Sequence, residues 1–218
     1  MTRFFSIFIS AFTILSATII NVPSDYSTIQ EGINASVDGD TVLVAQGNYI
    51  ENLILEKEIV LASHAIYDEL NSDWTNNIHV TNTRIMGGSP MNSKKGSCIQ
   101  VSYGNIQPTI MGFTISNGMG TSMLVNDCGV TRTERSGGAI MAYQAYPIVS
   151  HNRFMNNGVS MFDEDNAAEA IQNGGAITLY DDDDVEFDED RSSSGRNTIG
   201  SREVPETWNV QNNYFENN

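Results

Sequence analysis

The chain has 218 residues, 40% of them apolar, so it can bury one sizeable core as a single domain. Its formal net charge is −16 and its isoelectric point is near 4.3. This acidic balance argues against nucleic acid or an anionic membrane surface as a partner. It is compatible with cations, neutral glycans or simple solubility.

Residues 1–17 have the features of a secretory signal peptide. Arg3 supplies a minimal positive start, and the apolar stretch that follows is interrupted only by Ser and Thr up to Leu15. Ser16 and Ala17 then offer small residues for cleavage. A membrane anchor is the alternative, but the apolar run is short and lacks a basic stop-transfer flank. We expect a mature chain without a membrane span, located outside the cell or on its surface.

Residues 18–62 are predicted to form an N-terminal cap and a first coil of β-structure. Ser27 and Gln30 fit a capping box, and Ile29 and Ile33 lie one turn apart on a short amphipathic helix. Short strands are predicted over residues 41–45, 53–55 and 59–62. A helix in this place would shield an open strand edge from pairing with other chains.

Residues 63–218 are predicted to contain the remaining coils, and they begin with a less regular stretch. We expect a loop over residues 67–77, then a strand near residues 84–86 and a turn at Gly87-Gly88.

The three histidines, His64, His79 and His151, lie far apart in the sequence. They lack the close spacing that often accompanies a metal site. His151 also occupies a repeat position that Gly112 and Asn212 hold in other copies, which indicates a corner residue. We therefore expect no catalytic or metal-binding role for any of them.

The clearest organising signal is a motif that recurs about every 40 residues. Residues 137–140 and 174–177 both read Gly-Gly-Ala-Ile, and each copy is followed by an Asn-rich segment. The Asn-rich segments, residues 149–157 and 210–218, share Val, Asn, Phe, Asn and Asn at five of nine positions. A weaker copy precedes them at residues 96–99 and 110–118.

The composition of each copy predicts short strands joined by tight corners. Apolar and polar residues alternate over short runs, and Gly and Asn, which tolerate positive φ, bound these runs. Asn at the same place in successive turns can also form a hydrogen-bonded ladder. These features favour an all-β solenoid over a propeller or a sandwich, since hairpin-forming dipeptides are scarce.

The two cysteines would form a disulfide in many secreted chains. Repeat alignment, however, places Cys98 where Ala139 and Ala176 stand, at a small inward-facing position. Cys128 lies in a loop, so a bond would require that loop to fold back over the strand. We favour a buried, unpaired Cys98 and leave the disulfide as the alternative.

Three loop insertions are predicted, over residues 119–136, 158–173 and 181–207. The last is acidic and adds 24 residues to its repeat, because Gly175 precedes Val210 by 35 positions where Gly138 precedes Val149 by 11. Insertions of this kind protrude from a solenoid and often form its binding face.

Clustered carboxylates in the acidic insertion are candidate Ca²⁺ ligands, because a hard cation would relieve their repulsion. The candidates are Asp181, Asp182, Asp183, Asp184, Glu186 and Asp188. The run lacks EF-hand spacing and the nonapeptide of calcium-binding β-rolls, so a solvated acidic loop is the favoured interpretation.

Calorimetric titration distinguishes these two interpretations of the insertion. A solvated loop predicts no heat of binding at millimolar Ca²⁺, since no ligand set is organised around the ion. A saturable heat that disappears when Asp181 to Asp184 are changed to Asn would establish the site instead.

The last residues of the sequence predict that further repeats follow. Asn218 follows Phe215-Glu216-Asn217 in the middle of the repeat pattern, and no polar capping repeat comes after it. We expect this sequence to be the N-terminal piece of a longer protein with further coils.

Two sets of motifs resemble known families. Residues 26–35 (Tyr-Ser-Thr-Ile-Gln-Glu-Gly-Ile-Asn-Ala), 39–42 (Gly-Asp-Thr-Val) and 47–53 (Gly-Asn-Tyr-Ile-Glu-Asn-Leu) resemble the opening of the pectin-lyase-like superfamily. The Gly-Gly-Ala-Ile copies, with Phe-x-x-Asn at residues 154–157 and 215–218, are similar to the repeats of polymorphic outer membrane proteins. These resemblances imply a right-handed parallel β-helix with a short N-terminal capping helix.

The superfamily includes polysaccharide lyases, pectin esterases and surface proteins of no known activity. A lyase implies acidic Ca²⁺ ligands and a basic residue that abstracts a proton, and an esterase implies paired aspartates and an arginine. Neither set can be matched here, because no arginine stands in a recognisable motif with paired carboxylates; the arginines considered are Arg84, Arg132, Arg135 and Arg153.

Two functions therefore remain. The favoured one is a non-catalytic secreted or surface protein, associated with the outer membrane, that binds extracellular polysaccharide or cell-surface glycans. The alternative is a carbohydrate-active enzyme, lyase-like or pectin-esterase-like, that acts on acidic polysaccharide. Converging carboxylates beside an Arg or Lys would favour the enzyme, and a neutral polar face would favour the binder.

Overall fold

The structure is a computed structural model that describes residues 16–89, 95–127, 130–159, 171–173, 175–180, 185–187 and 209–218. Residues 1–15 of the predicted signal peptide lie outside these ranges. The described chain is mostly β-strand and the strand pairs are mostly parallel, which confirms the all-β class. No helix in these ranges is long and apolar enough to cross a bilayer.

The strands and helices are short. The N-terminal elements are β1 (Ile19–Val22), α1 (Ile29–Ala35), β2 (Thr41–Val44), β3 (Gly47–Ile50), β4 (Leu53–Leu55), β5 (Val60–Ser63), α2 (Ile78–Asn82), β6 (Thr83–Met86), β7 (Lys95–Gly96) and β8 (Ile99–Ile106). The later strands are β9 (Thr109–Met111), β10 (Thr114–Ser116), β11 (Gly120–Asp127), β12 (Val130–Ser136), β13 (Ile140–Ala145), β14 (Ile148–Ser150), β15 (Arg153–Met155), β16 (Ile171–Asn173), β17 (Ile177–Tyr180), β18 (Val185–Phe187), β19 (Asn209–Gln211) and β20 (Tyr214–Glu216).

Three of the sheets are entirely parallel. Sheet A has the order β1-β2-β5-β9-β14-β19, sheet B has β3-β6-β10-β15-β20, and sheet C has β4-β8-β13-β17. From β2 onward the chain adds one strand to A, one to B and one to C, and then repeats this order. Each return to a sheet places the new strand beside the previous one.

The sequence copies lie side by side in these sheets. Ile140 pairs with Ile99 on one side and with Ile177 on the other, so the three copies of the first motif are in register. In sheet B, Phe154 pairs with Phe215, and their rings stack with centroids 5.0 Å apart. The repeat is therefore one structural unit placed against copies of itself.

Inward-facing residues of the three sheets form one apolar core. Leu61, Ile110 and Val149 come from sheet A, while Ile115 and Phe154 come from sheet B, and all are fully buried. Burial of aliphatic side chains of this size contributes roughly 1.5–3 kcal/mol each. The core thus links every repeat to its neighbours.

Residues with positive φ occupy the two corners that flank sheet B. Gly112, His151 and Asn212 follow successive strands of sheet A with φ of 83°, 54° and 52°. Asn117 and Asn156 follow strands of sheet B with φ of 62° and 55°. The interpretation of His151 as a corner residue is confirmed.

Two columns of asparagine amides pair the backbone at these corners. Asn152 accepts from the backbone N–H of Phe113 (3.0 Å) and donates to the carbonyl of Ile110 (2.9 Å). Asn213 repeats this contact one unit later, since its Oδ1 accepts from Asn152 N–H (3.0 Å) and its amide donates to Val149 O (2.8 Å). The predicted asparagine ladder is therefore present as side chain-to-backbone bonds.

Helix α1 covers the N-terminal end of the core with Ile29 and Ile33, as expected. Its N-cap is Thr28, with Glu31 completing the capping box, so the predicted box is displaced by one residue. Ser27 instead donates its hydroxyl to the Glu31 carboxylate (2.8 Å).

Helix α1 is tied to the first coil at both ends. The carboxylate of Glu51 accepts from the N–H groups of Ile29 and Gln30, each at 3.0 Å. Lys57 Nζ donates to the carbonyl oxygens of Ile33, Asn34 and Ser36 at 2.6–2.8 Å. The charges match the helix dipole, and they fix α1 on the strands that supply them.

Two stretches expected to be loops contain regular structure. Strands β11 and β12 form an antiparallel hairpin across most of residues 119–136, and β18 and β16 pair with its edges. Fully buried Arg135 donates to the carbonyl of Gly120 (2.9 Å) within it. Residues 64–82 contain 3₁₀ helices at His64–Tyr67 and Trp74–Asn76, followed by α2.

The asparagine ladder generates a stability prediction. Asn157 is buried, accepts from Gly118 N–H (3.1 Å) and donates to Ile115 O (3.0 Å), so Asn157→Ala leaves buried backbone groups without partners. We expect it to lower the free energy of unfolding by about 2–4 kcal/mol, measured by urea denaturation.

The neighbouring residue provides the control. Asn156 is exposed with φ of 55°, which glycine adopts readily, so Asn156→Gly should change the free energy of unfolding by less than about 0.5 kcal/mol. Equal effects at the two positions would contradict the ladder's role.

Candidate binding cleft

A cleft of about 480 Å³ lies where the chain passes from sheet B to sheet C. The corner residues between β3 and β4 form one wall, and the segments around Gly88 and Ser97 form the other. Ile50 and Ile54 add apolar surface, while Asn52, Ser89, Lys95 and Gln100 add polar groups. Its volume lies in the range of small-molecule sites, about 300–1,000 Å³.

Asn52 holds the two walls together. Its Oδ1 accepts from the backbone N–H of Gly88 (3.2 Å), and its Nδ2 donates to the carbonyl of Ser97 (2.9 Å). Ser97 is held in turn by the hydroxyl of Thr121, 2.8 Å away. Hydrogen bonds between separate parts of the chain therefore fix the positions of the two cleft walls.

The edge strand beside the cleft has its backbone groups satisfied by a side chain. Gln30 of α1 accepts from Ile54 N–H (2.8 Å) and donates to Ile54 O (3.1 Å), which takes the place of a neighbouring strand. The outer edge of sheet C is thus closed to strand pairing at this point.

Gln100 is the polar group of the cleft whose hydrogen bonding is incomplete. It lies on β8 in an outward-facing row, between its strand partners Ile54 and Met141, and is 5% exposed. Its Nε2 lies 3.5 Å from the Ser102 hydroxyl, but its Oε1 has no partner within the described part of the chain. A buried acceptor without a partner costs about 1–3 kcal/mol, so this group needs an explanation.

The charges that line the cleft are few. Among its described residues, Glu51 is the only carboxylate and Lys95 the only cation. Both oxygens of Glu51 already accept N–H groups of α1. The available lining is therefore largely neutral, with amide and hydroxyl groups beside apolar side chains.

Most of the predicted calcium ligands lie outside the described residues. These are Asp181, Asp182, Asp183, Asp184 and Asp188. Glu186 lies on β18, where its backbone pairs with Leu124 of β11. Elsewhere in the described ranges, no three His, Cys, Asp or Glu residues are arranged to hold a metal ion. The calcium site stays a prediction.

The histidines, which are distant in sequence, lie at the same corner of the fold. The rings of His64 and His79 stack with centroids 5.7 Å apart, and His79 Nε2 lies 4.0 Å from the Asp68 carboxylate. Trp74 packs edge-on against His151 at 5.3 Å. Burial lowers the pKa of His151, and its Nδ1 has no hydrogen-bond partner among the described residues.

Alignment of the repeats could have indicated that His64 and His151 lie near the same corner. His64 and His151 each follow directly after a strand of sheet A, β5 and β14. The strand register aligns Ser63 with Gly112 and His151, so His64 lies one residue beyond the corner column that contains His151. His79 could not be placed in this way, because it belongs to an insert without a counterpart in the other repeats.

Comparisons with protein-family models, curated proteins and solved structures found no match.

Cys98 occupies the predicted inward position. It is buried, as are its equivalents Ala139 and Ala176, and its thiol donates to the carbonyl of Ser116 (3.2 Å). Burial raises the pKa of the thiol to about 12. Cys128 lies outside the described residues, so pairing with it stays a prediction.

These properties predict that Cys98 is unreactive in the folded protein. At pH 8 the thiolate population is very small and the sulfur is inaccessible, so iodoacetamide should leave Cys98 unmodified. Peptide mass spectrometry after alkylation in the native state and in urea measures this. Alkylation at the same rate in both states would contradict the buried position.

Proposed function

We propose that the chain is a right-handed parallel β-helix. The repeated order of sheets A, B and C and the in-register sequence copies support this architecture. Right-handed crossovers are also strongly preferred between parallel strands of one sheet. The closing of one end by α1 agrees with the capping role expected from the sequence.

We further propose that this protein is a secreted or cell-surface module that binds glycans in the cleft without catalysing a reaction. The observation that carries this proposal is the unpartnered Oε1 of Gln100 in the cleft lining. A polar group left unsatisfied in the free protein is characteristic of a binding site, where the ligand supplies the missing partner.

The chemistry of the lining favours a sugar. Sugar hydroxyls can donate to Gln100 Oε1 and exchange hydrogen bonds with the Ser89 hydroxyl. The carbon face of a sugar ring can rest against Ile50 and Ile54, of which Ile50 is 69% exposed. A hydroxyl-rich neutral ligand also avoids the desolvation cost of placing a charge there.

The same lining disfavours the enzymatic alternative at this place. Acid–base chemistry on a polysaccharide needs a carboxylate or a basic group free to move a proton. Glu51, the carboxylate among the described lining residues, is committed to the N–H groups of α1. With Glu51 committed, Lys95 is the one charged group that remains among the described lining residues, and that lining offers no free carboxylate beside it. Binding without chemistry is therefore the function that the cleft supports best.

Gln100→Leu tests the proposal. Leucine has a similar volume and removes the unpartnered oxygen, so we expect the free energy of unfolding to stay constant or rise by about 1 kcal/mol. Glycan affinity should fall about tenfold, because the hydrogen bond to the ligand is lost. Urea denaturation and calorimetry with neutral and uronate-bearing hexasaccharides measure the two effects.

Thr178→Val is the matched control. Thr178 lies in the same outward row, two strands further along sheet C, and its hydroxyl is also buried without a partner. It does not line the cleft, so its removal should leave affinity unchanged. The proposal fails if no oligosaccharide binds or if both variants bind as the wild type does. Absorbance from unsaturated products would establish a lyase instead.

A further inference from the structure

The insert between β5 and β6, residues 64–82, carries a group of rings beside a carboxylate. We call His64, Tyr67, Asp68 and His79 the ring surface. The ring of Tyr67 packs edge-on against His64 at 6.2 Å, and His64 stacks on His79 at 5.7 Å. The Asp68 carboxylate lies 4.0 Å from His79 Nε2. The four side chains form a continuous row.

This row remains accessible to a partner. Tyr67 is 65% exposed, and the side chains of His79 and Asp68 are about one-third exposed. Asp68 Oδ2 accepts from the Asn77 amide (2.9 Å), while its Oδ1 has no hydrogen bond within the described part of the chain. The tyrosine ring and one carboxylate oxygen, which belong to consecutive residues, are thus both available to a partner.

The row is held in place by hydrogen bonds beneath it. Asn77 caps α2 by accepting from the N–H groups of His79 (2.8 Å) and Val80 (3.2 Å), so the residue that orients Asp68 is itself fixed. The Gln46 amide lies 3.2 Å from His79 Nδ1. Buried Val80 accepts from the Thr114 hydroxyl (2.9 Å), which joins the insert to sheet B. A partner would meet a preorganised surface.

The charge of the insert favours a cation. Residues 64–82 contain Asp68, Glu69 and Asp73 and neither Lys nor Arg. Tyrosine is among the best rings for cation–π contact. Arginine combines a planar cation that stacks on ring faces with a fork of N–H donors that matches a carboxylate.

We propose that the ring surface binds an arginine side chain on a partner protein. The guanidinium stacks on Tyr67 and donates to Asp68. The site is separate from the cleft, because it lies at the corner between sheets A and B while the cleft lies between sheets B and C. The ring surface would therefore bind a protein partner in addition to the glycan proposed above, and this second proposal does not depend on the first.

Peptide titration of the whole chain tests this proposal. The probes are a hexa-arginine amide and its neutral isostere hexacitrulline, titrated by calorimetry at pH 8 and about 0.15 M salt, where long-range charge effects are screened. Tyr67→Leu and Asp68→Asn should each weaken arginine-peptide binding about three- to tenfold, from loss of the ring contact or the charged hydrogen bond. Hexacitrulline should not bind.

The controls separate a specific site from attraction to the net charge of −16. Tyr26→Leu removes a tyrosine that is 39% exposed elsewhere, and Glu69→Gln removes the same charge one residue away. Both should keep the dissociation constant within about twofold. Gln100→Leu should also leave it unchanged, which separates this test from that of the cleft.

Two outcomes would overturn the proposal. Equal affinities across all variants would show binding through net charge alone, and equal binding of hexacitrulline would remove the requirement for a cation. Urea denaturation of Tyr67→Leu and Asp68→Asn shows that each is folded. Asn can keep the hydrogen bond from Asn77, so Asp68→Asn reports on charge even if Tyr67→Leu loosens the insert.

Discussion

The structure depends on the pairing of backbone groups at the corners between its parallel sheets. Within a sheet the ladder satisfies the peptide groups, but at each corner the chain turns and leaves buried N–H and carbonyl groups behind. Asn152 and Asn213 satisfy them in one column, and Asn157 and Asn218 do so in another. Because each amide reaches to the preceding repeat, the same bonds that close a corner also fix the register between repeats.

The N-terminal end solves the same problem with other residues. Helix α1 covers the core at this end, and the Gln30 amide bonds to Ile54 in place of a neighbouring strand. Glu51 and Lys57 return from the strands to bind the two ends of α1. Glu51 also stands in the wall of the cleft. Its role in the cap therefore leaves no free carboxylate among the described lining residues of the cleft.

Sequence reasoning succeeded where repeats impose a shared environment. Alignment of copies placed Cys98 in the core and His151 at a corner, since stacked equivalents must occupy the same position. It failed for the hairpin β11–β12 and for the insert at residues 64–82, which have no counterpart in the other copies. Sequence reasoning also missed the cleft, because Asn52 and Gln100 both line it but belong to strands and corners that lie far apart in the sequence.

Gln100 and the asparagines of the ladder carry the same side-chain amide group, but within the described residues only the asparagines use both its oxygen and its nitrogen in hydrogen bonds that support the fold. Asn152 and Asn157 are buried amides with their bonds made, and each supports the fold. Gln100 is also buried, on a neighbouring sheet, yet its oxygen has no partner within the described residues. Leucine at this outward-facing position would remove the unpartnered oxygen. A position where stability alone would favour a different residue marks a candidate binding site, so the proposed ligand site is the cleft rather than the acidic insertion.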